Sequence, residues 1–207
     1  MGIPVLILGE SGSGKSSSLR NFEAADVSIF NVASKPLPFR KKLPTRATSD
    51  YGVIVTSIQK SQKKAFVIDD SQYLLCFESF AKAKETGYGK YTDMALNFYN
   101  LVQFVIHNTP PDVIVYFLHH TETDGNTGKV KAKTLGKMLD SQLTVEGLFS
   151  IVLLCMGDDK KHVFVTQSDG KTTAKSPMEM FPAEIDNDLK AVDAAIREYY
   201  ELNKKGE

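Results

Sequence analysis

The sequence predicts an α/β three-layer sandwich: a mostly parallel sheet followed by a C-terminal antiparallel meander, in one domain over residues 1–207. Three observations carry this expectation. Unbroken apolar runs at 3–8, 65–70 and 112–120 have the pattern of strands covered on both faces. Segments of helical period alternate with them. The runs "SIVLLCM" and "HVFVTQ" are separated only by a short turn sequence, which forces an antiparallel pair because a parallel connection needs a dozen residues or more.

Taken in order, "IPVLIL" is a buried strand and "KSSSLRNFEAA" reads as a helix after it. "VSIFNV" at 27–32 is the second strand, and "SKPLPFRKKLPTR", with its prolines, is a loop. "SDYGVIVTSIQKSQKK" is β-rich in composition, yet a parallel strand follows it directly and needs a crossover. It is therefore assigned as a helix, capped by Ser49 or Asp50. "AFVIDD" is the next strand, and 71–108 forms two helices separated by "GYGK", the second striped by Met94, Phe98, Leu101, Val102 and Val105. "DVIVYFLHH" is a strand ending in two histidines. The polar loop "TETDGNTGKVKAK" leads to a helix with Leu135, Met138, Leu139 and Leu143 on one face. After the antiparallel pair, "SDGK" marks a turn, and a last helix carries the stripe Ile185, Leu189, Val192, Ile196 and Tyr199.

With 207 residues the chain can bury a substantial core, and 42% hydrophobic with 24% charged residues is a globular composition. Its 25 basic residues are balanced by 25 acidic ones, so attraction to a polyanion must come from local patches. The longest apolar run, "LFSIVLLCM", is too short to span a bilayer, and no basic segment precedes the N-terminal apolar residues as in a signal peptide. The expectation is a cytoplasmic protein with no membrane partner. Cys76 and Cys155, each in an apolar run, read as buried free thiols.

The chemistry concentrates at Gly9-Glu10-Ser11-Gly12-Ser13-Gly14-Lys15-Ser16, which satisfies G-x-x-x-x-G-K-[ST] between a strand and a helix; Ser17 continues it. Glycines let successive backbone N–H groups turn toward one centre, where an anion sits. Lys15 supplies a point charge for the β- and γ-phosphates of ATP, and Ser16 a hydroxyl for Mg²⁺. The bland alternative is a Gly/Ser turn with an incidental lysine. A triphosphate site also needs a metal-bound carboxylate, and Asp69, at the end of "AFVIDD", stands where a parallel sheet opens its ligand crevice. For catalysis the nearest group is Asp70, which either turns inward at the strand end or caps the following helix. Of His119 and His120, alternation from Phe117 favours His119 as a sensor of the γ-phosphate.

Two stretches are locally basic: Lys35, Arg40, Lys41, Lys42 and Arg46, and then Lys129, Lys131, Lys133 and Lys137, neither containing an acid. The second follows the histidine-bearing strand, where a mobile lysine loop would couple nucleotide state to nucleic-acid contact; the alternative for both is a solvated loop. Lys171 and Lys175 are placed to reach a nucleotide held by a neighbouring subunit.

The phosphate loop together with "FVIDD", "FLHHTE", "GKVKAKTLGKMLD" and "TQSDGKTTAKSPMEMF" resembles bacteriophage-encoded RecA-like P-loop ATPases, the group labelled phage nucleotide-binding proteins or AAA-family ATPases. The resemblance spans nearly the whole chain. It implies a RecA-like P-loop core and a single-strand annealing role in phage recombination or replication. It further implies a DNA-facing loop over 121–134, single-stranded DNA and a phage single-strand-binding or replication protein as partners, a homo-oligomer, and the host cytoplasm as location. One departure stands out. Such ATPases carry a catalytic glutamate at the end of the second strand, where this chain has "FNVASKP" and no acid. Two other functions therefore stay open: a nucleotide-sensing assembly factor with little hydrolysis, and a nucleotide or small-molecule kinase. The kinase ranks lower because the only arginines are Arg20, Arg40, Arg46 and Arg197, none of them in a lid position.

Overall fold

Strand β1 (Ile3–Gly9) is buried along almost its whole length because it lies inside a parallel sheet, paired with β5 (Ile114–Thr123) on one side and β7 (Ile151–Gly157) on the other. A computed structural model describes residues 1–135, 143–158 and 161–202. The remaining strands are β2 (Val27–Asn31), β3 (Thr45–Ala47), β4 (Ala65–Asp69), β6 (Val130–Ala132), β8 (His162–Val165) and β9 (Glu184–Asp186). The sheet runs β3-β2-β4-β5-β1-β7-β8-β9, with β6 paired to β5. Pairing is parallel from β3 through β7; β8, β9 and β6 pair antiparallel with their neighbours. This is an α/β protein with a mixed, mostly parallel sheet and an antiparallel C-terminal end.

Period-two alternation divides the strand residues between two cores. Leu6, Leu8, Phe66, Ile68, Val115 and Phe117 face α1 (Tyr51–Lys60), α2 (Gln72–Ala81) and α3 (Gly89–Asn108). Val5, Ile7, Val67, Tyr116 and Leu118 pack on the other side with Leu19 and Phe22 and with Leu189, Val192 and Ile196 of α4 (Leu189–Tyr199). The α1 helix starts at Asp50, whose carboxylate accepts from the Val53 N–H at 2.9 Å, and α2 and α3 flank the expected Gly-rich break. Both cysteines are free, Cys155 buried and Cys76 partly exposed. Among the described residues, no helix is long and apolar enough to cross a membrane.

Four expectations need correction. The segment after the glycine loop is a six-residue 3-10 turn, Ser16–Asn21, and not a long helix. Consecutive serines compete with the backbone for hydrogen bonds: the Ser18 hydroxyl donates to the Lys15 carbonyl at 2.6 Å, and Phe22 then turns extended to bury its ring. The proline-rich loop contains β3, a short exposed edge strand of the kind that tolerates neighbouring prolines. The polar loop after His120 begins as the β5–β6 hairpin. Ile185 belongs to β9, because Asp188 caps α4 by accepting from the Lys190 and Ala191 N–H groups, so the helix begins only at Leu189. Of the expected stripe around 135–143, Met138 and Leu139 lie outside the described residues.

A buried polar triad ties α4 to the central strand. The Tyr116 hydroxyl donates to Asp193 Oδ1 at 3.0 Å, and Arg197 Nε donates to Asp193 Oδ2 at 2.7 Å. Arg197 also reaches the Asp112 carbonyl at 2.8 Å. Removing the carboxylate strands both partners in a dry setting. We expect Asp193→Ala to cost about 3 kcal/mol in chemical denaturation, and Asp193→Asn distinctly less. Equal, small losses would show that the triad is not buried as described.

Candidate functional site

At the C-terminal ends of β1, β4 and β5 the chain leaves the sheet in three successive ways, and the motif residues meet there. Gly9, the last residue of β1, has no room for a side chain: a Cβ would lie 2.4 Å from Ser13 Oγ and 2.9 Å from the Cys155 carbonyl oxygen. The chain then doubles back through Gly12 and Gly14, both at positive φ (82° and 100°). At Gly14 a Cβ would also strike the His162 ring at 2.9 Å. Among the described residues, the backbone N–H groups of Gly12, Gly14 and Lys15 donate to no protein acceptor. Ser13 Oγ is buried and unpartnered as well. A loop of unused donors lining a cleft is what an anion needs.

Lys15 folds back over this loop, its ammonium donating to the carbonyls of Gly9 and Glu10, each at 2.7 Å. Burial lowers its pKa, offset by Cys155, Asp70 and Asp69. The Ser16 hydroxyl donates to Asp69 Oδ1 at 2.8 Å, across 53 residues of sequence. Asp69 closes β4 on the same face as Val67 and the glycine loop; burial raises its pKa and the Ser16 hydrogen bond opposes that. Hydroxyl and carboxylate oxygens side by side are a hard donor set that fits Mg²⁺. Among the described residues, no group of three or more His, Cys, Asp or Glu side chains could hold a metal by itself. Any Mg²⁺ here would draw its remaining ligands from water and phosphate, its usual habit.

The cleft above the loop is about 220 Å³ and is lined by Ser11, Gly12, Gly14, Lys15, Ser16 and Ser17 together with Asp69, Asp70, His120 and Lys35. That is smaller than a typical whole-ligand pocket and suited to a phosphate chain. Glu10 contributes only its carbonyl, and its side chain is exposed.

Asp70 turns inward. It is a non-glycine residue at φ 60°, a left-handed conformation that carries strain, and it aims its carboxylate at the cleft. Oδ2 accepts from Lys35 Nζ at 2.8 Å, and Oδ1 lies 3.1 Å from His120 Nε2. Burial alone would raise its pKa, but the hydrogen bonds from His120 and Lys35 outweigh it and bring it down to about 2.

His119 does not line the cleft. Alternation from Phe117 holds, but that face belongs to the α2–α3 side of the sheet. There His119 is fully buried, Nδ1 sharing a hydrogen bond with the Ser71 hydroxyl at 2.9 Å and Nε2 donating to the Lys133 carbonyl at 2.8 Å. His120, one residue on, shares the face of Leu118 and takes the cleft position.

Three supports of the loop carried no motif signal. The Ser13 carbonyl accepts from the Cys155 thiol at 3.0 Å and from His162 Nδ1 at 2.9 Å, while Asn187 Nδ2 donates to Cys155 Sγ at 3.1 Å. Burial pushes the Cys155 thiol up to about 11, so it keeps its proton and stays a donor at neutral pH. Side chains from β7, β8 and the residue after β9 thereby fix one loop carbonyl in place.

The lysines of the second basic stretch lie elsewhere. Lys129, Lys131 and Lys175 line a depression of about 560 Å³, with Asp124 and Glu146 among them. Lys131 Nζ is 3.5 Å from Glu122 and 3.8 Å from Asp124, which offsets its charge. Lys133 is exposed, its carbonyl held by His119, and Lys137 lies outside the described residues. In the first stretch Lys41 pairs with Glu23 at 2.8 Å and Arg46 donates to Ser57 Oγ at 3.1 Å.

His119 predicts a pH dependence. Burial lowers its pKa to about 4 from an unfolded value of 6.5, so between those values the unfolded chain binds the extra proton. Stability is therefore full above pH 6.5 and falls by about 3 kcal/mol as pH drops toward 4. Urea midpoints across this range should show the decline, and His119→Gln should flatten it; a His119→Gln slope equal to wild type would count against the burial. No family model matches the chain and no curated protein matches it, so what this site does has to be argued from its own atoms.

Proposed function

We propose that the protein binds ATP with Mg²⁺ in this cleft, on a RecA-like P-loop core, and works on single-stranded DNA in phage recombination or replication. The observation that carries the nucleotide reading is the Ser16–Asp69 hydrogen bond at 2.8 Å beside a loop of unpartnered amides. A hydroxyl and a carboxylate brought together from distant parts of the chain mark a metal position next to an anion position, which is the chemistry of a bound Mg²⁺–triphosphate. In this reading the amides of Gly12, Gly14 and Lys15 receive phosphate oxygens, Lys15 leaves its two carbonyls to meet the β- and γ-phosphates, and Ser16 and Asp69 hold the metal. Bound Mg²⁺ would neutralise charge on the phosphate oxygens.

Turnover is expected to be slow. A general base works best with a pKa near the working pH, and Asp70, which the His120 hydrogen bond engages and helps hold below the usual carboxylate range, is a weak one. The buried end of β2 offers Asn31 in place of an acid. Nucleotide thus acts mainly as a conformational ligand, with hydrolysis as a reset. Among the described residues no arginine lines the cleft, which ranks a kinase lower, since it needs such charges around the transferred phosphate.

The DNA part of the proposal leans on the resemblance and on one structural link. β5 carries His120 at the cleft and continues into the hairpin bearing Lys129, Lys131 and Lys133, so a change at one end has a rigid path to the other.

Calorimetry with ATP and Mg²⁺ should register binding to the wild type and none to a folded Lys15→Ala variant; no binding to the wild type would end the nucleotide reading. ATP turnover measured with and without single-stranded DNA should be slow and stimulated by DNA, whereas phosphate transfer to an added nucleotide would establish a kinase instead. Replacing Lys129, Lys131 and Lys133 with Ala should flatten the salt dependence of single-stranded DNA binding, by about 0.7 of a unit of slope per lost phosphate contact.

A further inference from the structure

We infer that Lys35 is a second phosphate-binding ammonium, one that reads the terminal phosphate of a bound nucleoside triphosphate after leaving Asp70; this rests on the nucleotide reading above. The argument begins at the end of β2. Asn31 pairs in register with Asp69, and its buried side chain grips the backbone of Lys35 from both sides. Its amide nitrogen donates to the Lys35 carbonyl, and its amide oxygen accepts from the Lys35 N–H at 3.1 Å. Between them the chain reverses through Ser34 at φ 56°, a left-handed turn, and the Val32 N–H is fixed to the Asp69 carbonyl at 3.2 Å. A segment that sequence alone presents as a solvated basic loop is therefore anchored to the strand that ends in Asp69.

The side chain is held less firmly than its backbone. Lys35 Nζ sits 2.8 Å from Asp70 Oδ2 and 5.0 Å from the centre of the Tyr73 ring, yet the side chain is 58% exposed. Ion pairs at that exposure are weak, so the ammonium is easily traded to a stronger partner. Both Lys35 and Lys15 line the same small cleft. A terminal phosphate carries more charge than one carboxylate and offers several acceptor oxygens, so it wins that exchange. A diphosphate, one phosphate shorter, leaves Lys35 with Asp70. His120 stays on the other carboxylate oxygen in either state, so Asp70 is never left without a partner. Where the resembled ATPases place an acid, this chain places an amide that supports a lysine.

The test is calorimetric titration of wild type, Lys35→Met and Lys35→Arg with the Mg²⁺ complexes of the non-hydrolysable triphosphate AMPPNP and of ADP. The exposed side chain makes both variants safe for folding, and ADP binding reports on the integrity of the site. Lys35→Met should weaken AMPPNP by about tenfold or more while changing ADP by less than about twofold, and Lys35→Arg should keep a ratio close to wild type. If the wild type binds both nucleotides and Lys35→Met leaves their ratio unchanged, the role of Lys35 is overturned and the nucleotide reading stands. If the wild type binds neither, both fall together.

Discussion

The hydrogen bond between Ser16 and Asp69 is the contact on which the site depends, and its cause lies in the sheet. β5 stands between β1 and β4, so the two parallel ends that carry the glycine loop and the carboxylate are one strand apart. Alternation along β4 then puts Asp69 on the face of Val67, the side on which the 3-10 turn after the loop packs through Leu19 and Phe22. Shifting β4 by one residue would turn the carboxylate into the opposite core. The 2.8 Å contact is thus set by register, and register is set by two apolar faces that each demand burial.

The antiparallel end of the sheet has a part in this that a purely architectural description would miss. It supplies none of the motif, yet His162 of β8 donates to the Ser13 carbonyl, beside the Cys155 thiol from the neighbouring parallel strand β7. A glycine-rich loop has many conformations to lose. Fixing one carbonyl from outside biases the adjacent peptide units toward presenting their N–H groups inward. Gly14 completes the arrangement, since its lack of a side chain is what lets His162 come so close.

Much of this was legible in the sequence because it depended on local pattern. Unbroken apolar runs marked β1, β4 and β5, and the need for a crossover identified α1 despite its β-rich composition. The motif residues from Gly9 to Ser17 and the strand-end Asp69 were readable from spacing, and they do converge. What was not legible depended on partners far away in the chain. Choosing between His119 and His120 requires knowing which sheet face the helices α2 and α3 cover, and alternation gives parity without saying which face is which. Lys35 looked like one charge in a basic loop because its placement comes from the Asn31 clamp and the turn at Ser34, neither of which has a periodic signature. Cys155 was visible only as a buried thiol, since its acceptor lies 142 residues earlier. The 3-10 turn has no periodic signature either, because what sets it is a hydroxyl, that of Ser18, bonding to the backbone carbonyl of Lys15 at the turn's start.

The energetics of the cleft bear on why such an arrangement persists. Lys15 is buried against two neutral carbonyls, and Asp69 against a single hydroxyl; burial works against the charged form of each. Asp70 adds backbone strain at φ 60°. None of these features improves the stability of the folded chain, and all carry a cost that the two cores must offset. Two of these costs change sign in the reading proposed above, where Lys15 and the idle amides would gain an anion and Asp69 a cation; the strain at Asp70 stays. That Lys15 and Asp69 are each disfavoured alone, and would each be relieved by one member of that pair, is what favours the proposed reading. In that reading folding sets the backbone amides in advance, while Lys15 must exchange its two carbonyls for phosphate, so only part of the free energy withheld during folding would return as affinity.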